Sequence, residues 1–259
     1  MSLAQLALIA LSGFAAGAVN ALAGGGTLIS FPVLVAVGFP AVAANVTSTI
    51  ALCPGFLGAA FAQRADLRGQ RARLLVLLPL SLLGGLLGAA LLLRTGERKF
   101  TQVVPWLLLT ACLLLALQDR LRDALAAGRG LSPDATTDVR SEPLWMLPLV
   151  VIVTMYGGFF GAGMSVIILA LLGMALSDPL PRLNALKQAI ALATNTAAAL
   201  WLALRAPVNW RVASVLAVSA LLGGVCGGRL AGSLSPLWLR RTVVLLGTAV
   251  AALYLWRAR

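Results

Sequence analysis

The second half of this chain repeats the spacing of certain Gly, Pro and Asn residues of the first half, 139 positions later and without a gap. The repeated positions are Gly, Pro and Asn residues inside sequence that is otherwise almost entirely apolar. They pair as Gly24 with Gly163, Pro40 with Pro179, Asn45 with Asn184, Gly84 with Gly223, Gly85 with Gly224, and Gly88 with Gly227. Two related hydrophobic halves, interrupted at matching places, are typical of repeat-built membrane proteins whose site lies between the halves.

The composition indicates a polytopic membrane protein. Hydrophobic residues make up 60% of the chain and charged residues 11%, whereas soluble domains carry roughly 25% charged residues. The net charge of +12 could indicate nucleic acid, but the 20 Lys and Arg residues are spread over short loops instead of forming an aromatic-lined basic patch. We therefore expect membrane lipids as partners and no nucleic acid.

Apolar runs divide each half into five segments. They lie at about 3–23, 27–37, 42–62, 72–93 and 100–118, and then at 144–161, 164–176, 183–204, 211–228 and 236–256. Several reach the ~20 residues that a membrane-spanning helix needs, but 27–37 and 164–176 are too short. This matched pair predicts a short broken or re-entrant helix in each half.

The expected fold is an all-α polytopic membrane protein with two repeats, residues 1–118 and 143–259, joined by a polar linker over 119–142. Five crossings per half make the repeats inverted, whereas four make them parallel. The distribution of basic residues among the loops barely separates ten crossings from eight. We prefer ten crossings, which place both termini outside and keep the first run as a span.

The glycine-rich break at residues 20–27 predicts an anion site. Its glycines let the backbone turn and approach a ligand closely, and the short helix that follows would aim free N–H groups and its positive dipole end into the protein. Residues 156–163 repeat the break. Such a break also arises from close helix packing, but a matched pair favours a site. The candidate ligands are Asn20, Gly24, Gly25, Gly26 and Thr27.

A polar stripe follows each of the two matched prolines. The first consists of Asn45, Ser48 and Thr49, and the second of Asn184, Lys187 and Gln188. Positions i, i+3 and i+4 share one helical face, so each set forms a stripe. Such stripes can simply join helices, and Lys187 can extend its amine to the membrane surface. The functional alternative is that Lys187 anchors an anionic substrate.

The sequence has no histidine, and all eight carboxylates lie in the linker, in other loops or at segment ends. Proton-coupled and cation-selective pathways normally use acidic or His side chains within the membrane. Zinc ligands and a His general base are likewise missing, so we expect no metal, no cofactor and no enzymatic activity. Polar donors without carboxylates favour an anion as the transported species.

These residues resemble the TauE/SafE sulfite exporter family. The resemblance rests on NALAGGGTLISFP at 20–32, PAVAANVTST at 40–49, the NALK of 184–187 and the final glycine-rich spans, and it covers nearly the whole chain. It implies a small transporter of bacterial inner membranes that moves sulfite, sulfonates or related anions. It also implicates Asn20, Gly24, Gly25, Gly26, Asn45, Ser48, Asn184 and Lys187. Because no Asn of the second break matches Asn20, we do not expect a strictly symmetric site.

The resulting hypothesis is export of sulfite or a related sulfur oxyanion by alternating access around a site between the repeats. One alternative is a transporter of an organic sulfonate or carboxylate in either direction. Another is a membrane scaffold subunit that transports nothing. Replacing Lys187 or Asn184 would leave the function of such a scaffold unchanged.

Overall fold

The computed structural model describes residues 1–22, 24–127, 143–230, 244–245 and 247–252, and the regular elements in these ranges are all helical. The α-helices are α1 (Leu3–Leu22), α2 (Thr27–Ala36), α3 (Ala41–Ala62), α4 (Arg71–Ala127), α5 (Met146–Phe159), α6 (Met164–Ala175), α7 (Leu180–Arg205) and α8 (Trp210–Leu230). A 3-10 turn, Arg64–Leu67, follows α3.

The helices follow the apolar runs of the sequence. The two short runs become α2 and α6, with 10 and 12 residues. The runs 72–93 and 100–118 become two arms of α4, which meet at Gly96, where φ is 68°. Residues 119–127 of the expected linker continue α4, while 128–142 and most of the run 236–256 lie outside the described residues. The expectation of a helical protein is confirmed.

The long helices suit a lipid environment. Among the described helices, the stretches Leu3–Asn20, Ala41–Phe61 and Arg71–Leu117 are long and apolar enough to cross a membrane. Large apolar side chains such as Leu75 and Trp106 lie exposed on α4. A soluble monomer rarely exposes large contiguous apolar surface, so lipid is the expected surroundings. The number of crossings stays a prediction.

Close glycine contacts join helices of the first half to helices of the second. α1 packs on α8, and α4 packs on α5. A Cβ atom at Gly17 would overlap the carbonyl oxygen of Ala220, and one at Gly88 would overlap that of Met155. Small residues allow such close backbone approach, which drives helix packing where lipid replaces water. The two halves are therefore interleaved.

The helices α3 and α7 run antiparallel. Asn184 near the start of α7 donates its Nδ2 hydrogen to Oε1 of Gln63, just beyond the end of α3, at 2.9 Å. Further along α7, Thr196 contacts Cys53 within α3, with 3.5 Å between Oγ1 and Sγ. Every residue of α7 from 185 to 191 is buried, so this part of the helix passes through the interior.

Carboxylates hold the starts of both Pro-marked helices. Before α7, Oδ2 of buried Asp178 lies 2.6 Å from Nη1 of Arg73, and its Oδ1 lies 3.0 Å from Nε of Arg182. At the start of α3, the Glu97 carboxylate accepts the backbone N–H groups of Ala41 and Val42. A carboxylate at a helix N-terminus also interacts favourably with the helix dipole. These acidic groups therefore have structural partners.

Gly17→Ala is expected to destabilise the protein by about 1–3 kcal/mol, because the added methyl group separates α1 from α8. Gly58→Ala is the control, since a Cβ at this exposed position of α3 meets no atom within 4 Å. Thermal unfolding of both variants in detergent measures the difference. Equal unfolding temperatures would contradict the close α1–α8 packing.

Candidate functional site

The two glycine-rich breaks meet inside the protein. A Cβ atom at Gly24 would lie 2.6 Å from Cβ of Ser165, at the start of α6. A Cβ atom at Gly161 would lie 3.9 Å from Oγ1 of Thr27, at the start of α2. The N-terminal ends of the two short helices therefore face each other.

The matching glycines of the breaks share one backbone conformation. Gly24 has φ 70° and Gly163 has φ 78°. This left-handed region is costly for residues with a Cβ and open to glycine. The 139-residue repeat of the sequence thus corresponds to a repeated turn that ends one helix and begins a short one.

Neither short helix has a side-chain cap at its N-terminus. Gly26 precedes α2 and Gly163 precedes α6, and no side chain bonds to the first turn of either helix. In α2 the N–H groups of Leu28 and Ile29 bond instead to the carbonyls of Gly25 and Gly26. The positive ends of two helix dipoles therefore point into the same buried region, which favours negative charge there.

Asn20 and Gly25 occupy different surroundings within the first break. Asn20 is buried, and its Cβ would lie 3.3 Å from a Cβ at Gly26. A Cβ at Gly25 would make ordinary contact with Leu115 at 3.5 Å. Asn20 thus lies against the start of α2, while Gly25 faces an apolar side chain.

The first polar stripe links α3 to both breaks. Nδ2 of Asn45 donates to the carbonyl oxygen of Phe159, the last residue of α5, at 2.8 Å. Oγ of Ser48 lies 2.6 Å from Oγ of Ser30 in α2. Thr49 donates to the carbonyl of Asn45 within its own helix at 2.9 Å. Several polar atoms of the first stripe therefore already have hydrogen-bond partners within the protein.

The second polar stripe leaves more of its polar atoms free. Asn184 donates to Gln63. Lys187 is 6% exposed and Gln188 is 2% exposed. Neither of these two forms a side-chain hydrogen bond or an ion pair with any residue that the structure describes. Lys187 is thus a buried cation without a protein counter-charge in the described part of the chain.

The direct contacts divide the candidate residues into two groups. Asn184 lies at the Gln63 end of α3, whereas Asn45 lies 18 residues earlier, about 27 Å away along the helix axis. The first stripe is joined to the glycine breaks through Phe159 and Ser30. No hydrogen bond or ion pair between described residues joins the two stripes to each other, and the assignment of ligands stays a prediction.

Several residues beside the breaks were not among the ligands expected from the sequence, although Ser30 follows Thr27 at the start of the short helix. Four phenylalanines pack edge to face, with ring centroids 5.4 Å apart for Phe31 and Phe160 and 5.5 Å apart for Phe100 and Phe159. Ser30 could have been found from its spacing, because a hydroxyl four residues after Gly26 can bond back to that carbonyl. The phenylalanines gave no signal in a sequence so rich in apolar residues.

Comparison with known proteins identifies relatives of this sequence. Residues 9–254 match the family described as Sulfite exporter TauE/SafE. The chain belongs to this family. A "Probable membrane transporter protein" of Haemophilus influenzae is 26% identical over 251 residues, which cover 95% of this chain and 93% of that relative. No solved structure matches.

Membership in the TauE/SafE family fixes the class of the protein. Its relatives are membrane transporters and not enzymes, and the apolar helices agree with a membrane location. The expectations of a transporter, a membrane environment and no enzymatic activity are thereby confirmed. A small substrate follows from the same membership.

Gly24→Ala is expected to impair folding and transport, because its positive φ and the nearby Ser165 side chain both oppose a Cβ. Gly58→Ala is the control, since a Cβ at this exposed position of α3 meets no atom within 4 Å. Unfolding temperature and anion flux of the two variants are compared. A Gly24→Ala protein as stable and active as Gly58→Ala would show that this turn is not required.

Proposed function

We propose that this protein exports sulfite or a related sulfur oxyanion across a bacterial inner membrane, by alternating access between two inverted repeats, 1–118 and 143–259. The observation that carries the proposal is that Lys187 is buried and has no counter-charge among the residues that the structure describes. Its amine would supply the positive charge for the anion. Gln188, and Asn184 beside it, would add donors from the same face of α7.

A buried charge without a partner among the described residues favours a bound anion. Burying an ammonium group without a partner costs several kcal/mol, even after the protein relaxes. The carboxylate nearest to Lys187 along the chain is Asp178, which is already paired with Arg73 and Arg182. A small anion would therefore serve as the counter-charge that the described residues do not supply.

The glycine breaks support the proposal from the backbone. Two helix N-termini without side-chain caps face each other, and broken helices of this kind bind anionic groups of substrates in other transporters. N–H groups near Gly25, Gly26 and Thr27 would replace part of the hydration shell. The anion would pass this region, with Asn20 as a further donor.

Alternating access is supported by the arrangement of the halves. α3 and α7 occupy matching positions in the sequence repeat and run antiparallel, as an inverted repeat requires. Their polar stripes would then flank the breaks, one toward each side of the membrane. Asn45, Ser48 and Thr49 would line the path on one side, and Lys187 and Gln188 on the other.

Charge and packing favour a small anion over a larger organic one. The phenylalanines near the breaks pack against one another instead of lining an open cavity. Lys187 supplies one formal charge, which suits a singly or doubly charged anion. Export of such an anion gains about 2.3 kcal/mol per charge per 100 mV of inside-negative potential.

Lys187→Gln is expected to weaken apparent sulfite affinity roughly tenfold or more, because a charge-assisted hydrogen bond in the interior is lost. Flux is measured in liposomes over a range of sulfite concentrations, with and without an imposed potential. Lys99→Gln is the matched control, since Lys99 is exposed on α4.

Three outcomes would count against the proposal. Sulfite flux by folded Lys187→Gln that equals the wild type would remove Lys187 from the site. No sulfite flux by the wild type, together with flux of organic sulfonates or carboxylates, would favour the larger substrates. A wild-type protein that moves none of these anions would argue against the substrate class.

A further inference from the structure

The amide of Asn45 has a buried oxygen with no hydrogen-bond donor. Asn45 is fully buried, and its Nδ2 donates to the carbonyl of Phe159 at 2.8 Å. A carbonyl can only accept, so this contact fixes which branch of the amide carries nitrogen. Oδ1 lies on the other branch and accepts no hydrogen bond from any residue that the structure describes.

The hydroxyl groups around Asn45 bond to neighbouring protein oxygens. Oγ of Ser30 lies 3.2 Å from the carbonyl oxygen of Gly26. It also lies 2.6 Å from Oγ of Ser48, and either serine can be the donor in that bond, so at least one lone pair of Ser48 stays open. Thr49 donates to the main-chain oxygen of Asn45. The hydroxyl groups here therefore keep oxygen lone pairs that a ligand can use.

The end of α5 places the negative end of a helix dipole beside Asn45. Phe159 is the last residue of α5, so its carbonyl belongs to the negative end of the helix dipole. In transporters with broken helices, carbonyls of unwound backbone and the C-terminal ends of half-helices coordinate Na⁺. The carbonyl of Phe159 is a group of this kind, because it lies at the C-terminal end of α5 beside the second break.

We propose that this cluster, formed by Asn45, Ser48, Ser30 and the carbonyl of Phe159, is a Na⁺ site. Its neutral oxygens suit a monovalent ion, whereas Ca²⁺ sites are built largely from carboxylates. The group has no titratable side chain, so a proton is not the ligand. The site does not depend on the identity of the transported anion.

The test measures thermal unfolding of the purified protein in NaCl, KCl and choline chloride at equal ionic strength. Na⁺ alone is expected to raise the midpoint by roughly 2–5 °C, with a dependence that saturates as a binding isotherm. Ser48→Ala is expected to lose this shift. Ser81→Ala is the control, because Ser81 is also fully buried and bonds only within its own helix.

Asn45→Ala removes the contact with Phe159 and can fail to fold, so Ser48→Ala decides the question. Equal midpoints in the three salts would overturn the site, and so would a Na⁺ shift that survives in Ser48→Ala. Lys187→Gln is expected to keep the Na⁺ shift, because Asn184, one turn before Lys187, lies at the end of α3 opposite Asn45. A Na⁺ shift without sulfite flux would leave this site standing and reject the proposed substrate. Sulfite flux without a Na⁺ shift would do the reverse.

Discussion

The structure depends on one constraint, which is that backbone N–H and C=O groups must find partners inside the protein wherever lipid replaces water. The two breaks, at residues 24–26 and 160–163, release such groups in the interior of the bundle. They are tolerated because they face each other and because α3 reaches both of them through Asn45 and Ser48. The glycine contacts between α1 and α8 and between α4 and α5 close the bundle around this region. The interleaving of the halves is thus part of how the breaks are kept from lipid.

The local features of the breaks were predictable from the sequence, because they depend on short-range chemistry. The two short apolar runs gave the bounds of α2 and α6 closely, and the repeated Gly24 and Gly163 both have positive φ. The periodicity of the stripes correctly gave residues on shared helical faces. Partners across the chain were not predictable, because Asn45 meets Phe159 only after the halves interleave. For the same reason the sequence could not show that α3 and α7 run antiparallel. This arrangement puts the stripe of α7 beside the end of α3 and the stripe of α3 near its start.

Acidic residues that lie near the helices already have partners in the structure. The sequence shows that carboxylates avoid the apolar runs, which argued for an anionic substrate. The structure adds that Asp178 and Glu97 are engaged at the starts of α7 and α3. A buried carboxylate that is already shared by Arg73 and Arg182 cannot also neutralise Lys187 without losing one of those contacts. A charged side chain at the exposed surface is solvated by water, whereas one on the buried part of α7 is not.

The two polar stripes differ in what they can still bind, although they occupy matching positions in the repeat. Around Asn45 the hydroxyl oxygens and the amide oxygen Oδ1 keep open lone pairs among the described residues, which would suit the proposed Na⁺. Around Lys187 the ammonium group has hydrogens and a charge that no described residue uses. Ser48 and Lys187 occupy matching positions of the sequence repeat. Under the two proposals, the serine would bind a cation and the lysine an anion, although α3 and α7 are both helices that begin after a matched proline.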